Sequence, residues 1–240
     1  MDTQTRHALK KDSFVSATHD SLNWAQENRE RVLALSIAVA VAIFLAIVGA
    51  VVYQHRSEAA GTDFSHAMQV YQAPLSTSAQ PIPPGIQSFP SAAERAKAAN
   101  QLFLVAADKY GMLADGRNAR YFAGLTYVEM GQNASAESAL KNVAGSWNHN
   151  LASLADLALA SLYHQTGRDP QAIDLLNQLA AKPTATVPAG EAKLQLAALY
   201  EAANQPDQAK RIYAQLKDQD KNGAAGQIAA QKLNGGPQPR

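Results

Sequence analysis

The stretch "ASLYHQTGRDPQAIDLL", residues 160–176, contains the pattern that decides the fold of this 240-residue chain. A small residue is followed three positions later by a tyrosine, then by a turn that carries glycine or, in one copy, asparagine. An alanine comes next, with a large apolar residue four positions after it. The same order recurs in "GLTYVEMGQNASAESAL" (124–140) and "AALYEAANQPDQAKRIY" (197–213). The chain therefore contains at least three copies of one structural unit.

The turns and contact positions of these copies indicate pairs of antiparallel helices. Each turn carries a residue that tolerates a left-handed backbone conformation, namely Gly131, Gly167 and Asn204. Because two helices approach closely only where small side chains meet, we expect Gly124 to face Ala136 across the first hairpin. Each tyrosine is expected to fill the gap to the next unit.

In these features the chain resembles the tetratricopeptide repeat, a helix–turn–helix unit of about 34 residues. The tyrosines here recur at intervals of 36 and 37 residues. The position that usually holds a first-helix tryptophan carries Arg120, Asp156 and Lys193 or Leu194. The resemblance implies an all-α fold in which helical hairpins stack into a solenoid.

The array is expected to extend upstream of the three copies. Ala99 and Phe103 reproduce the second-helix pattern, and the segment 57–72 is the predicted partner helix. The proline-rich stretch 74–90 lies between the two and cannot be helical, because proline interrupts helical hydrogen bonding. We expect it to form a loop.

The stretch "RVLALSIAVAVAIFLAIVGAVVYQHR", residues 31–56, predicts a transmembrane helix. Its 22 residues from Val32 to Tyr53 carry no charge. As a helix they would be about 33 Å long, enough for a hydrocarbon core of roughly 30 Å. A signal peptide has a shorter apolar region closer to the N-terminus. Ser57–Ala59 imitates a cleavage site, so a cleaved signal stays open as the alternative.

The basic flanks predict the orientation of this helix. Five cations precede the apolar segment and Arg56 alone closely follows it; the five are Arg6, Lys10, Lys11, Arg29 and Arg31. Basic residues stay on the cytoplasmic side, so the N-terminus is expected inside and the C-terminal part outside. The predicted division is a cytoplasmic tail (1–31), a transmembrane helix (32–53), a membrane-proximal helix and loop (54–90), a repeat domain with a closing helix at 222–234 (91–234), and a disordered tail (235–240).

Composition argues against several functions. Residues 57–240 carry as many acidic as basic side chains, so a nucleic-acid surface is disfavoured. The chain has no cysteine, and its six histidines show no paired metal-ligand spacing. Neither a phosphate-binding glycine loop nor a nucleophile elbow is present. We therefore predict a non-enzymatic protein without metal or cofactor.

The whole layout resembles the YfgM-like ancillary subunits of the bacterial SecYEG translocon. The resembling parts are "WAQENRERVLAL" (24–35) leading into the apolar segment, the segment 57–72 after it, and the helical pairs that follow. The resemblance implies a single-pass protein of the bacterial inner membrane with a periplasmic tetratricopeptide-like domain. It also implies SecYEG and periplasmic chaperones as protein partners.

Two other functional classes remain open at this point. One is a scaffold or assembly subunit of another envelope complex, in secretion or cell division. The other is an accessory domain that tethers a catalytic subunit to the membrane. The scaffold would use the same groove for a different partner.

The tetratricopeptide resemblance also implies where a partner binds. First helices line the concave face of such an array, and their inward positions form the predicted partner-binding groove: Tyr121, Leu125, Val128, Leu157, Ser161, His164, Leu194, Ala198 and Glu201. The large apolar members of this set are expected to be exposed, as in a binding surface. The alternative is that the helix at 222–234 folds back and covers them.

Overall fold

The computed structural model of the protein describes residues 28–76 and 82–235, and these form an all-helical structure. No strand is present in that part of the chain, and its β-type backbone pairing is limited to an isolated bridge between Leu75 and Phe89. The predicted all-α class is therefore confirmed. The helices are α1 (Arg29–Tyr71), α2 (Ala92–Tyr110), α3 (Ala114–Glu129), α4 (Asn133–Ala144), α5 (His149–Gln165), α6 (Asp169–Ala181), α7 (Ala189–Ala202), α8 (Pro206–Gln219) and α9 (Ala224–Leu233).

The chain divides into two compact units, Met1–Arg56 and Ser57–Arg240. The described part of the first unit is helix α1 up to Arg56, whose apolar side chains are exposed. This helix is long and apolar enough to cross a membrane. Most of the predicted cytoplasmic tail (residues 1–27) and the last five residues of the predicted C-terminal tail (236–240) lie outside the described residues.

The second unit is built from helices that pack on their neighbours in chain order. From α2 to α9, each helix contacts the next one. The first helices α3 and α5 also contact each other, as do α7 and α9. This arrangement gives the predicted hairpins α3–α4, α5–α6 and α7–α8, followed by α9 as the closing helix.

The three predicted turn residues have the backbone conformation that the pattern requires. The φ angles are +69° at Gly131, +73° at Gly167 and +56° at Asn204. In all three turns the residue after the glycine or asparagine donates its backbone N–H to the carbonyl of the repeated tyrosine. After Gly167, for example, Arg168 donates to the Tyr163 carbonyl at 2.7 Å. Glycine has no Cβ to clash there, and asparagine tolerates the region better than most residues. The prediction of left-handed turns is confirmed.

Small residues form the close contacts between helices, with one correction to the predicted pairing. Ala136, Ala172 and Ala209 are almost completely buried. The residue opposite Gly124, however, is Leu140, since a Cβ built on Gly124 would approach the Leu140 side chain at 2.8 Å. Helical side chains lean towards the N-terminus of their helix, so Leu140 covers the surface that backbone spacing assigns to Ala136.

The upstream hairpin pairs the end of α1 with α2, as predicted. Its core combines Ala67 and Val70 of α1 with Ala99 and Phe103 of α2. Four aromatic rings meet there with centroids 5.4 to 6.0 Å apart, and they are Phe64, Tyr71, Phe103 and Phe122. Such ring pairs stabilise a core beyond the area that they bury. This aromatic cluster was not predicted from the repeat pattern.

The described parts of the proline-rich stretch are non-helical, and its two ends are held together. Ser76 donates its backbone N–H to Phe89 at 2.8 Å, and Phe89 donates to Pro74 at 3.1 Å. The Arg95 guanidinium also donates to the carbonyl of Ala73 at 3.3 Å. These bonds close the connection between α1 and α2 at its base.

Ala172→Leu is expected to destabilise the second unit. Ala172 is fully buried in the same core cluster as Ala160 and Tyr163, so three added heavy atoms have no free space. We expect the free energy of unfolding to fall by roughly 2 kcal/mol. The exposed neighbour Gln171 is the control, because Gln171→Leu should change it by less than about 0.5 kcal/mol. Equal thermal unfolding midpoints for the two variants would contradict the helical register.

Candidate protein-binding groove

A cleft of about 140 Å³ lies between the first helices α5 and α7 of two successive hairpins. Small and neutral polar side chains form most of its walls. It is lined by Ala160, Ser161, His164, Leu176, Gln195, Ala198 and Leu199. Ser161, Gln195 and Ala198 are exposed to solvent at the cleft, whereas the buried Leu176 and Leu199 form its apolar floor.

Three of the nine predicted groove residues, Ser161, His164 and Ala198, meet in this cleft. They lie on facing positions of α5 and α7, as the tetratricopeptide register requires. The other cleft residues were not in the predicted set. Gln195 lies three residues before Ala198 on α7, and Leu199 follows Ala198 directly. Their closeness to Ala198 on the helix is the signal by which the sequence could have identified them.

The large apolar groups of the predicted groove are half-buried, which differs from the predicted exposure. Tyr121, Leu125 and Leu157 pack against the main core cluster, and Leu194 packs against the cluster around Tyr213. Neighbouring helices cover most of each side chain, because α3 and α5 contact each other directly and α7 contacts α8 and α9. These side chains therefore pack between helices and do not face an open groove, and burial raises the pKa of Tyr121.

Helix α9 packs beside α7 and contributes no residue to the cleft. A Cβ on Gly190 would lie 2.7 Å from Ala225, and Lys232 pairs with Glu201 at 3.3 Å. The predicted groove residue Glu201 is thus engaged by the closing helix. Burial and the nearby Glu201 raise the pKa of Tyr213 to about 12.

Hydrogen bonds fix the polar side chains around the cleft. His164 Nδ1 lies 2.7 Å from Asp169 Oδ1, so this contact orients the imidazole ring. Ser161 Oγ donates to the carbonyl of Leu157 at 3.2 Å. Gln195 donates to Glu191 at 3.0 Å. Each of these side chains keeps further hydrogen-bonding capacity for a ligand.

A charged cluster joins α4 to the α5–α6 turn. Arg168 Nη1 lies 2.8 Å from Glu137 Oε2, and Lys141 Nζ lies 2.7 Å from Glu137 Oε1. Tyr163 donates to the same carboxylate, and the Arg168 guanidinium lies over the Tyr163 ring. Hydrogen bonds from Lys141 and Arg168 lower the pKa of Glu137 to about 2. The repeated tyrosine therefore links two hairpins through polar contacts as well as packing.

The arrangement suits binding by shape and hydrogen bonding. Throughout residues 28–76 and 82–235, His, Asp and Glu side chains form no group of three that could hold a metal ion. The predicted tyrosine Tyr163 is buried, whereas Tyr127 and Tyr200 are half-buried. Small residues at the cleft leave an open space of about 140 Å³ between α5 and α7.

Comparison with protein families agrees with this geometry. A family described as "Tetratricopeptide repeat-like domain" matches residues 23–183, which covers α1 to α6. A second, described as "Tetratricopeptide repeat", matches residues 191–222, which covers nearly all of α7 and α8. Searches of curated proteins and of solved structures find no match.

Proposed function

Because the chain belongs to the tetratricopeptide repeat-like domain family, we propose that the cleft between α5 and α7 binds a segment of another protein while the apolar part of α1 anchors the chain in a membrane. Tetratricopeptide repeats are typically non-catalytic interaction modules. The observation that carries the proposal is the set of small side chains at the cleft, Ala160, Ser161 and Ala198. A peptide backbone can approach there and hydrogen-bond to the polar rim.

We further propose an ancillary role at the bacterial Sec translocon, with periplasmic chaperones as additional partners and no enzymatic activity. The support is the resemblance to YfgM-like subunits, together with an apolar helix placed immediately before the repeats. An anchored groove beside the translocon would meet protein segments as they emerge. Neutral composition fits such a role, since extended segments of varied charge would be admitted.

The proposed topology places the N-terminus in the cytoplasm and the repeats in the periplasm, because basic residues precede the apolar segment. The chain has no cysteine, so Ser13→Cys and Gly235→Cys each introduce a single thiol. On intact spheroplasts, a membrane-impermeant maleimide is expected to label the Gly235→Cys variant alone. Labelling of Ser13→Cys without labelling of Gly235→Cys would show the opposite topology and contradict the proposal.

Site-specific photo-cross-linking in living cells tests the groove. A photoreactive amino acid at Ser161, which is exposed at the cleft, is expected to capture a protein partner. The matched control places it at Gln171, which is exposed on the second helix α6 outside the cleft. Capture at Ser161 no greater than at Gln171 would rule out the cleft as the binding surface.

Identification of the captured proteins by mass spectrometry tests the finer assignment. Translocon subunits or periplasmic chaperones are the expected partners. Capture of cell-division or other secretion components would support the groove as a binding surface and contradict the translocon role. An associated enzyme would instead identify the chain as a tether for a catalytic subunit.

A further inference from the structure

A second cleft, of about 510 Å³, lies where the ends of α4 and α6 meet the start of α5. The α6–α7 connection forms part of one wall, through Pro183 and Thr184. The cleft shares no residue with the groove between α5 and α7, and every residue that lines it belongs to the second unit. The rest of its lining includes Ala144, Gly145, His149, Ser153, Asp156 and Lys182.

Asp156, in this cleft, occupies the first-helix position that holds a tryptophan in many tetratricopeptide repeats. The charged side chains at the equivalent positions of the neighbouring hairpins both have partners. Arg120 pairs with Asp108 at 3.0 Å, and Lys193 donates to Gln219 at 2.9 Å. The half-buried Asp156 carboxylate makes neither a hydrogen bond nor an ion pair with any residue that the structure describes, and burial raises its pKa. A charge held in this way is costly until a cation compensates it.

The side chain of Ser153 lies beside this carboxylate, one helical turn earlier on α5. Ser153 is 7% exposed, and its hydroxyl makes no hydrogen bond within the described part of the chain. Unlike the hydroxyl of Ser146, it is not shut off from solvent. A hydrogen-bond partner entering the cleft can therefore reach it and satisfy it.

The backbone adds further acceptors, because α4 and α6 both end at the cleft. The last carbonyl groups of a helix carry partial negative charge. Pro183 has no N–H, so the Leu179 carbonyl lacks the donor four residues ahead, and none of the described residues replaces it. His149 and Lys182 also line the cleft, but both are exposed and neither pairs with Asp156. The interior of the cleft therefore offers acceptors to a cationic donor.

Hydrogen bonds hold the wall formed by the α6–α7 connection in place. Thr186 donates its hydroxyl to the carbonyl of Asn150 in the first turn of α5, at 2.7 Å. Thr184 donates its backbone N–H to the carbonyl of Val187 at 3.1 Å, and Val187 is fully buried. The cleft is thus formed before a ligand arrives, which lowers the entropic cost of binding.

The first hairpin shows which cation suits such a place. Arg120, at the position equivalent to Asp156, donates from one guanidinium nitrogen to the Asp108 carboxylate at 3.0 Å. The same nitrogen lies 3.4 Å from the carbonyl of Ala107, near the end of α2. A guanidinium therefore binds a carboxylate and a carbonyl at the end of a helix within this chain. The cleft at Asp156 provides the same kinds of acceptor without a guanidinium of its own.

We propose that this cleft binds the guanidinium group of an arginine side chain from another polypeptide. The Asp156 carboxylate accepts two of its N–H groups, and the Ser153 hydroxyl and the Leu179 carbonyl accept others. Arginine suits these acceptors better than lysine, because its five N–H donors are fixed in one plane and pair with a carboxylate through two parallel bonds. The choice of a polypeptide as the source of the arginine rests on the protein-binding role in the proposed function.

The test measures peptide binding to the full chain in detergent. Ala181 is exposed and directly precedes Lys182, so Ala181→Cys places the single thiol of the chain next to the cleft. A trifluoromethyl label on this thiol reports binding by fluorine NMR. The probes are the peptide acetyl-Gly-Arg-Gly-amide and its counterpart with citrulline, which has nearly the same shape and no charge. The arginine peptide is expected to bind at least about tenfold more tightly.

Two variants of the labelled chain test the proposed contacts. Asp156→Asn is expected to weaken binding of the arginine peptide about tenfold, and Ser153→Ala about threefold. Each removes a charge or a hydroxyl that has no partner, so the thermal unfolding midpoint should not fall. The matched controls are Asp174→Asn and Ser138→Ala, which change exposed residues outside the cleft and should leave the affinity unchanged.

Equal binding of the arginine and citrulline peptides would overturn the guanidinium site, as would an effect of Asp156→Asn no greater than that of Asp174→Asn. A lysine peptide that binds as tightly as the arginine peptide would overturn the assignment to arginine. Free arginine that binds as tightly would overturn the assignment to a polypeptide. The cross-linking from Ser161 is measured separately, so a failure of this site and a failure of the groove between α5 and α7 are distinguishable.

Discussion

Gly116→Ala is expected to lower the thermal unfolding midpoint of the second unit by about 10 °C, with a loss of roughly 3 kcal/mol in unfolding free energy. Gly116 is buried in the first turn of α3. A Cβ there would overlap the carbonyl group of Tyr110 and lie 2.8 Å from the backbone nitrogen of Gly111. These are backbone atoms, so no side-chain rotation relieves the clash. The turn must open, which breaks the 2.8 Å bond from Leu113 N–H to the Tyr110 carbonyl.

Gly145→Ala is the matched control for this substitution. Gly145 also lies in a turn, but its φ is −77° and a Cβ there would meet its nearest atom, the Lys141 carbonyl oxygen, at 3.6 Å. That distance is an ordinary contact, so we expect a change within about 0.5 kcal/mol. The measurement is thermal unfolding of the full chain in detergent, followed by helical circular dichroism. Similar midpoints for the two variants would show that the α2–α3 turn is less tightly packed than described.

Ala198→Arg is expected to reduce photo-cross-linking from Ser161 at least about tenfold, equivalent to about 1.4 kcal/mol of binding free energy. Ala198 is exposed and lines the cleft between α5 and α7, so a long charged side chain fills the space that a bound segment would occupy. Because the site is exposed, the fold should be retained, with a change in stability below about 0.5 kcal/mol. Loss of capture would then report blocked binding.

Ala214→Arg serves as the control for the groove substitution. Ala214 is exposed on α8, a second helix, and lies outside the cleft. The two variants carry the same added charge and volume, so they differ in position alone. Equal capture in both variants would show that the cleft between α5 and α7 is not where the partner binds.

Regular repetition explains which parts of the fold were predictable. The turns at Gly131, Gly167 and Asn204, and the buried alanine that follows each of them, recur at intervals of 36 and 37 residues. Local backbone and packing requirements dictate each of these positions. The role of Gly116 was not predictable in this way. Its backbone conformation is ordinary, and its requirement arises from the path of the preceding turn.

Helical spacing was enough to place three predicted positions at one cleft, but it did not give the exposure of the large apolar positions. Ser161, His164 and Ala198 follow from the helical spacing of the repeats. Whether Leu157 or Tyr121 is exposed depends on how closely successive first helices approach, and that distance is set by tertiary packing.

The neighbour-by-neighbour packing of α2 to α9 also bears on how the protein acquires its structure. Most contacts join helices that are adjacent along the chain, and the further ones, α3 with α5 and α7 with α9, skip a single helix. Short sequence separation lowers the entropic barrier to folding, and a repeat array can nucleate at one hairpin and propagate. Each hairpin can therefore form as soon as its own residues have been synthesised, before the C-terminal helices exist. Under the proposed topology, in which the repeats are exported across a bilayer, such stepwise folding shortens the time during which apolar surface is unprotected.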